Sequence, residues 1–168
     1  MTSRISLTIF LLLASAFSGR SVQSNTPPPV ALIAVKSDRI FNVTPSEHLP
    51  YDEILPVIQD KLAAALRARG FDEPKPENPG SSVRLELLQV MQSMTLGSTL
   101  HLDLSLRVSI DGTDLSKVFQ AGSHRRKLTG INGKGWKSFI DQRLTEATEM
   151  LVQNIVGDPE FIKLISTN

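Results

Sequence analysis

The sequence predicts an α+β fold: a mainly antiparallel sheet, two longer helices packed on one of its faces, and a short C-terminal helix. Three observations carry this. Residues 99–111 alternate without a break, with Leu100, Leu102, Leu104, Leu106, Val108 and Ile110 pointing one way. Thr99, His101, Asp103, Ser105, Arg107, Ser109 and Asp111 point the other way, the pattern of a strand half buried against a core. Residues 51–69 and 136–156 instead repeat apolar side chains every three or four positions, as a helix with one buried stripe does. Finally, a strand and a helix come first, then a run of strands, then helices. That segregation is typical of α+β domains.

Taken in order, Val30–Val35 is a continuous apolar run and reads as a strand buried on both faces. Arg39–Val43 is a short extended piece around Ile40 and Phe41, and Ser46–Pro50 is loop. The first helix, Tyr51–Arg69, carries its stripe on Leu55, Ile58, Leu62, Ala65 and Leu66. Pro56 lies near the first turn, where its missing N–H costs little. Asp52 and Glu53 suit the positive N-terminal end, and Arg67 and Arg69 the other. Gly70 is placed to cap the helix in the left-handed conformation. Residues 72–82, with Pro74, Pro76, Pro79 and Gly80, form a loop.

Ser82–Met94 alternates through Val83, Leu85 and Leu87 and then changes phase at Leu88 and Val90, which predicts a β-bulge. Asp111-Gly112 supplies type I′ hairpin chemistry, because both central positions of that turn need positive φ. Leu115–Leu128 then returns antiparallel. The second helix, Trp136–Val156, buries Trp136, Ile140, Leu144, Ala147, Leu151 and Ile155. Asp158-Pro159-Glu160 opens the short helix with an acceptor at the N-cap, proline at the first position and an acid in the first turn. Phe161, Leu164 and Ile165 form its apolar face.

Charge and composition narrow the function classes. The chain has 168 residues, with 18 Lys+Arg against 17 Asp+Glu. Removing the first sixteen residues takes away Arg4 and no acid, leaving 17 against 17. A neutral surface offers no broad field for nucleic acid. The absence of cysteine excludes disulfides, thiol catalysis and cysteine-ligated metal. With seven Phe, one Tyr and one Trp, the core is expected to be aliphatic.

The N-terminus has the layout of a secretory signal: Arg4, an uncharged apolar run from Ile5 to Phe17, then small residues. As a helix that run rises only about 20 Å, short of a hydrocarbon core of about 30 Å. Ala14-Ser15-Ala16 is a signal peptidase site, and cleavage nearer Gly19 is the alternative. Where a lipoprotein would carry its acylated cysteine after Phe17-Ser18-Gly19, this chain has Arg20. The division is therefore a signal peptide (1–20), a proline-stiffened tether (21–29) and one domain (30–168). The expected location is the periplasm or the periplasmic face of the outer membrane, as an exported protein that lacks the acylation site.

Several pieces together resemble the YajG-like family of bacterial lipoproteins. These are the strand Val30–Val35, the helix Ile54–Leu66 ending in Arg-Gly-Phe (69–71), the strands Val83–Val90 and Leu100–Ile110, and the terminal Asp-Pro-Glu-Phe-Ile (158–162). The resemblance spans nearly the whole mature chain and lies in the order and spacing of elements. It implies an envelope location and an α+β domain, and it brings no catalytic motif. The missing cysteine departs from the family pattern and leaves lipid anchoring unsupported.

His101 and Asp103 lie two apart on one strand and emerge on the same face. They are candidates for an acid–base pair or for two metal ligands, although no third ligand is spaced to join them. Ser105 and Ser109 on the same face do not make a triad, which needs the histidine between nucleophile and acid. His124-Arg125-Arg126-Lys127 is a dense basic cluster, suited to phosphate, an anionic glycan or acidic headgroups, or simply to keeping a strand edge from pairing. Gly130–Gly135 lacks the spacing of a phosphate-binding loop. The reading is a non-enzymatic envelope binding or scaffold module, with no catalytic residue, metal or cofactor. Its partner is an envelope protein or glycan, met through the polar sheet face or an exposed strand edge, with room for peripheral association with the outer membrane. The expected contacts are His101, Asp103, Arg107, Arg125 and Arg126. The alternative is a small periplasmic hydrolase or metal-assisted enzyme using His101 and Asp103.

Overall fold

The period-two segment forms the strand around which the sheet is built. In the computed structural model, residues 27–37, 41–42, 51–95, 99–126 and 133–167 are described. Residues 1–26, where a signal peptide and most of a tether are expected, and the side chains of Trp136, Arg125 and Arg126 lie outside the described residues. The elements are β1 (Val30–Val35), β2 (Phe41–Asn42), α1 (Tyr51–Arg67), β3 (Ser81–Thr95), β4 (Thr99–Ile110), β5 (Ser116–Arg126), α2 (Gly133–Gly157) and α3 (Pro159–Thr167). All six even-numbered apolar residues of β4 are at most 2% exposed.

β3 and β5 flank β4, both antiparallel to it. Along β3 the register passes from Leu87↔Leu106 to Gln89↔Ser105, so Leu88 is the extra residue of the expected bulge. The β4–β5 connection differs from the two-residue turn. Four residues, 111–114, lie between Ile110 and Leu115, whose N–H and C=O are hydrogen-bonded at 3.3 Å. Thr113 explains the extra length. Its N–H and hydroxyl both donate to the Ile110 carbonyl (3.2 and 2.9 Å), and the hydroxyl accepts from the Leu115 N–H at 3.2 Å. Gly112 takes the positive φ of 77° within this turn.

The sheet is mixed: its two long pairings are antiparallel, as expected, and its first two strands join it in parallel. β1 and β2 both pair with β3 in parallel, giving the order β1-β3-β4-β5 with β2 alongside β3. The cause is connectivity: α1 lies between β1 and β3 and provides the long crossover that parallel neighbours require. Period-two alternation reports burial and is silent on direction.

β1 is also an edge strand rather than one buried on both faces. Ile33 is 41% exposed, and only Val30 is buried. The edge is partly closed by other means. Ser81 N–H donates to Pro29 C=O at 2.9 Å, so the alternation along β1 turns the backbone groups of Val30, Leu32 and Ala34 outward. The Val30 N–H donates to Asp72 C=O at 3.0 Å, and the Leu32 carbonyl accepts from Gln59 Nε2 of α1 at 2.8 Å. A side chain that occupies an edge carbonyl discourages strand addition there.

The helix ends follow their chemistry. At the end of α1, Gly70 N–H donates to Arg67 C=O (2.9 Å) and Phe71 N–H to Leu66 C=O (3.1 Å), with Gly70 at φ 88°. This is the Schellman pattern, closed by the buried pair Phe71 and Leu66. Asp158 caps α3 by accepting from the Phe161 N–H at 2.9 Å.

α1 lies against β1 and β3, α2 against β4 and β5. Their buried residues, among them Ile54, Ile58, Leu62, Ile140, Ala147, Leu151 and Ile155, join the even-numbered β4 side chains in one aliphatic core with Phe161 and Ile165 of α3. Two polar residues of α2 lie within this packing, against the apolar pattern: Arg143, 3% exposed, and Thr148. The Arg143 guanidinium is ion-paired to Glu146 and donates to Ser123 Oγ at 3.3 Å, and it lies 5.4 Å from the Phe139 ring centroid.

Candidate functional site

The odd-numbered side chains of β4 lie on the face opposite the core, the open face. His101, Asp103 and Arg107 all stand on it, as their spacing requires. Across β5 the register places His101 opposite His124, Asp103 opposite Gly122, Ser105 opposite Gln120 and Arg107 opposite Val118. Across β3, Arg107 faces Glu86, Ser105 faces Gln89 and Asp103 faces Met91.

The centre of this face is an open trough of about 720 Å³ crossing the sheet from the end of β1 to β5. Its lining includes Lys36, Glu86, Gln89, Arg107, Val118 and Gln120. Arg107 Nη1 donates to Glu86 Oε2 at 2.7 Å, an ion pair on the floor. Ser105 beside it is only 7% exposed, whereas Val118 is 47% exposed and apolar. Leu88, pushed out of register by the bulge, contributes to the same lining. A smaller hollow of about 340 Å³ shares Gln89, Ser105 and Gln120 and continues toward Asp103 and Gly122. The lining offers amides and one ion pair for hydrogen bonding beside the aliphatic Leu88 and Val118.

At the far end of this face His101 and His124 meet, Nδ1 to Nδ1 at 2.7 Å, with ring centroids 4.8 Å apart in an edge-to-face arrangement. Asp103 Oδ1 lies 4.0 Å from His124 Nε2. His101 and Asp103, paired as candidates by their spacing, are thus joined through His124 rather than to each other. Neither Ser105 nor Ser109 hydrogen-bonds either ring, and among the described residues no group of three His, Asp or Glu side chains forms a ready metal cage. Across β3 the register sets Ser93 opposite His101. Arg125 and Arg126 pair by backbone with Leu100 and Thr99, which places them at the same end of the sheet.

His124 was the residue missed as a partner of His101. Within the basic cluster it reads as one charge among four, and only the β4–β5 register reveals what it faces. The trough was missed for a similar reason, since it is assembled from four strands.

No family model matches the chain, so membership of the YajG-like family is not shown, and no curated protein matches it. Among the described residues no helix is long and apolar enough to cross a membrane. Solved structures resemble it at low identity. A hypothetical protein from Chlamydia trachomatis is 14% identical, covering 84% of this chain and 99% of that one, with a TM-score of 0.48. A protein from Xanthomonas campestris described by family model DUF330 is 11% identical over 76% of this chain and 82% of its own, with a TM-score of 0.45. A minor lipoprotein from Acinetobacter baumannii is 14% identical over 74% of this chain and 87% of its own, with a TM-score of 0.43.

Proposed function

We propose that the protein is an exported, non-enzymatic module of the bacterial envelope that binds an envelope protein or glycan on the open face of its sheet. The observation that carries this is the trough across β3, β4 and β5, where the Glu86–Arg107 pair, Gln89 and Gln120 lie beside exposed Val118. With the helices on one face, the other is left for a partner. The face is favoured over the strand edges, because Gln59 occupies an outward carbonyl of β1 and Asn154 Nδ2 donates to the Gln120 carbonyl of β5 at 3.0 Å. The secretory layout of residues 1–20 supports the envelope location, and Arg107 is the central contact.

The test is photo-crosslinking in cells with the reactive side chain placed at Val118 in the trough, or at Gln153 on the exposed side of α2. The expected result is one recurrent adduct from position 118, absent from position 153 and lost with Arg107→Glu, while the thermal midpoint of that variant stays within a few degrees of the parent. Equal adducts from both positions, or an unchanged adduct with Arg107→Glu, remove the open face from the function.

A further inference from the structure

We propose that His101 and His124 form a two-imidazole clamp for a late first-row divalent cation, oriented by Asp103. The clamp stands at one end of the same open face, and its geometry follows from the register. Ile110 and Leu115 form a hydrogen-bonded pair at the turn. Alternation then makes 109/116, 107/118, 105/120, 103/122 and 101/124 the non-hydrogen-bonded pairs of the ladder. The bond from Asn154 to the Gln120 carbonyl agrees, since at such a pair the backbone groups face away from the neighbouring strand. These are the pairs with the closest side chains, Cα atoms about 4.5 Å apart, and two histidines there present their rings to one another.

The ring nitrogens that face each other are the two Nδ1 atoms. In the neutral pair one donates and the other accepts. Asp103 Oδ1 stands on the Nε2 side of His124, 4.0 Å away, and favours the tautomer with its proton on Nε2 and the Nδ1 lone pair toward His101. A metal-ligating imidazole has this arrangement, one nitrogen on the metal and the other N–H toward a carboxylate. When His101 also carries its proton on Nε2, two lone pairs converge. Bonds of roughly 2.0–2.1 Å at a tetrahedral angle hold two nitrogens about 3.3 Å apart, so the observed 2.7 Å opens by about 0.6 Å. Small rotations of the two rings, His101 half-buried and His124 exposed, supply that. Water completes the coordination.

Gly122 keeps the space in which this happens. A Cβ built there would stand 2.1 Å from Asp103 Oδ1 and 3.3 Å from His124 Nε2. Its backbone is not in the left-handed region, so glycine answers to the close approach of the carboxylate and not to φ. Imidazole ligands favour Cu²⁺, then Zn²⁺, over the oxygen-seeking Mg²⁺ and Ca²⁺.

The experiment titrates the metal-free, purified chain with Cu²⁺ or Zn²⁺ alone. It uses calorimetry and, for Zn²⁺, the imidazole resonances of the three histidines, His48, His101 and His124. The expected result is one equivalent bound, Cu²⁺ more tightly than Zn²⁺ and Mg²⁺ not at all. The resonances of His101 and His124 move together. His101→Gln and His124→Gln each weaken binding at least about tenfold, Asp103→Asn by about tenfold or more, and His48→Gln leaves it unchanged. Gly122→Ala weakens it like Asp103→Asn. Unmoved His101 and His124 resonances in the parent protein on Zn²⁺ addition overturn the proposal, whatever the variants do. So does binding by the His101→Gln/His124→Gln double variant equal to that of the parent.

Discussion

The two faces of β4 are made from alternate residues of one strand, yet they obey different rules. On the core face every side chain is aliphatic and essentially without solvent contact. On the open face the neighbours are chosen in pairs: Arg107 with Glu86, His101 with His124, and Asp103 with Gly122, over which its carboxylate lies. The core face tolerates any set of apolar side chains that fills the volume. The open face depends on which residue lies opposite which, because its interactions are specific to a partner. Burial fixes the strand in place, and cross-strand register gives its exposed side a chemistry.

The largest effect that can break this division is a truncation at the centre of the core face. Leu104→Ala removes a fully buried side chain between β3 and β5 and leaves a cavity, at an expected cost of about 2–5 kcal/mol in urea unfolding. A cost below about 1 kcal/mol means that the sheet and helices are not packed as one core.

The boundary between the faces and the helical layer is tested next. Lys117, at the start of β5, reaches Asp158 at the N-cap of α3, with Glu160 Oε2 at 3.6 Å. The hydrogen bond from Lys117 holds the Asp158 carboxyl below its usual range, aided by the Phe161 N–H, and the same bond raises Lys117. The sign follows for each. Asp158, lowered in the folded state, stabilises the protein above the ordinary carboxylate range and loses that contribution as pH falls through its depressed value. Lys117, raised, contributes below the ordinary lysine value and loses it as pH rises through its elevated one. Asp158→Ala removes both cap and charge and costs about 0.5–2 kcal/mol near neutral pH. Asp158→Asn keeps the cap, so it isolates the charge. Its stability-versus-pH profile is expected to lose part of the acid limb, and an acid limb identical to the parent's assigns Asp158 no role in it.

Much of this is legible in the sequence. The strict alternation of β4 specified both of its faces, the phase change at Leu88 located the bulge, and Asp158-Pro159 marked a helix start. Gly70 marked a helix end, since a left-handed residue followed by an apolar one is what a Schellman cap needs. Direction was not legible: an apolar run such as Val30–Val35 reads the same in a parallel edge strand and in a buried central one. The facing of His101 and His124 was one step away. Once Ile110 faces Leu115, counting back nine places on β4 and forward nine on β5 brings the two histidines together. The obstacle was the turn, because Asp111-Gly112 read as a two-residue hairpin shifts the register by two. Arg143 was unreadable for a different reason. A charge inside an amphipathic stripe looks like the stripe's border until Ser123, Glu146 and Phe139 are seen around it.

The smallest expected effect is the most informative about the open face. Arg107 and Glu86 meet at 2.7 Å, with side chains 44% and 25% exposed. Water competes for both groups, and the pair must also hold two long side chains still. Such pairs contribute about 0.2–1 kcal/mol. Arg107→Ala is therefore expected to lower the unfolding free energy by no more than this, with an unchanged urea slope. A cost above about 2 kcal/mol would make the pair a structural strut, and the trough a by-product of folding. A small cost leaves a charged pair, held on the floor of an open trough, that the fold does not need for its stability. Its fixed geometry is then available to whatever binds there.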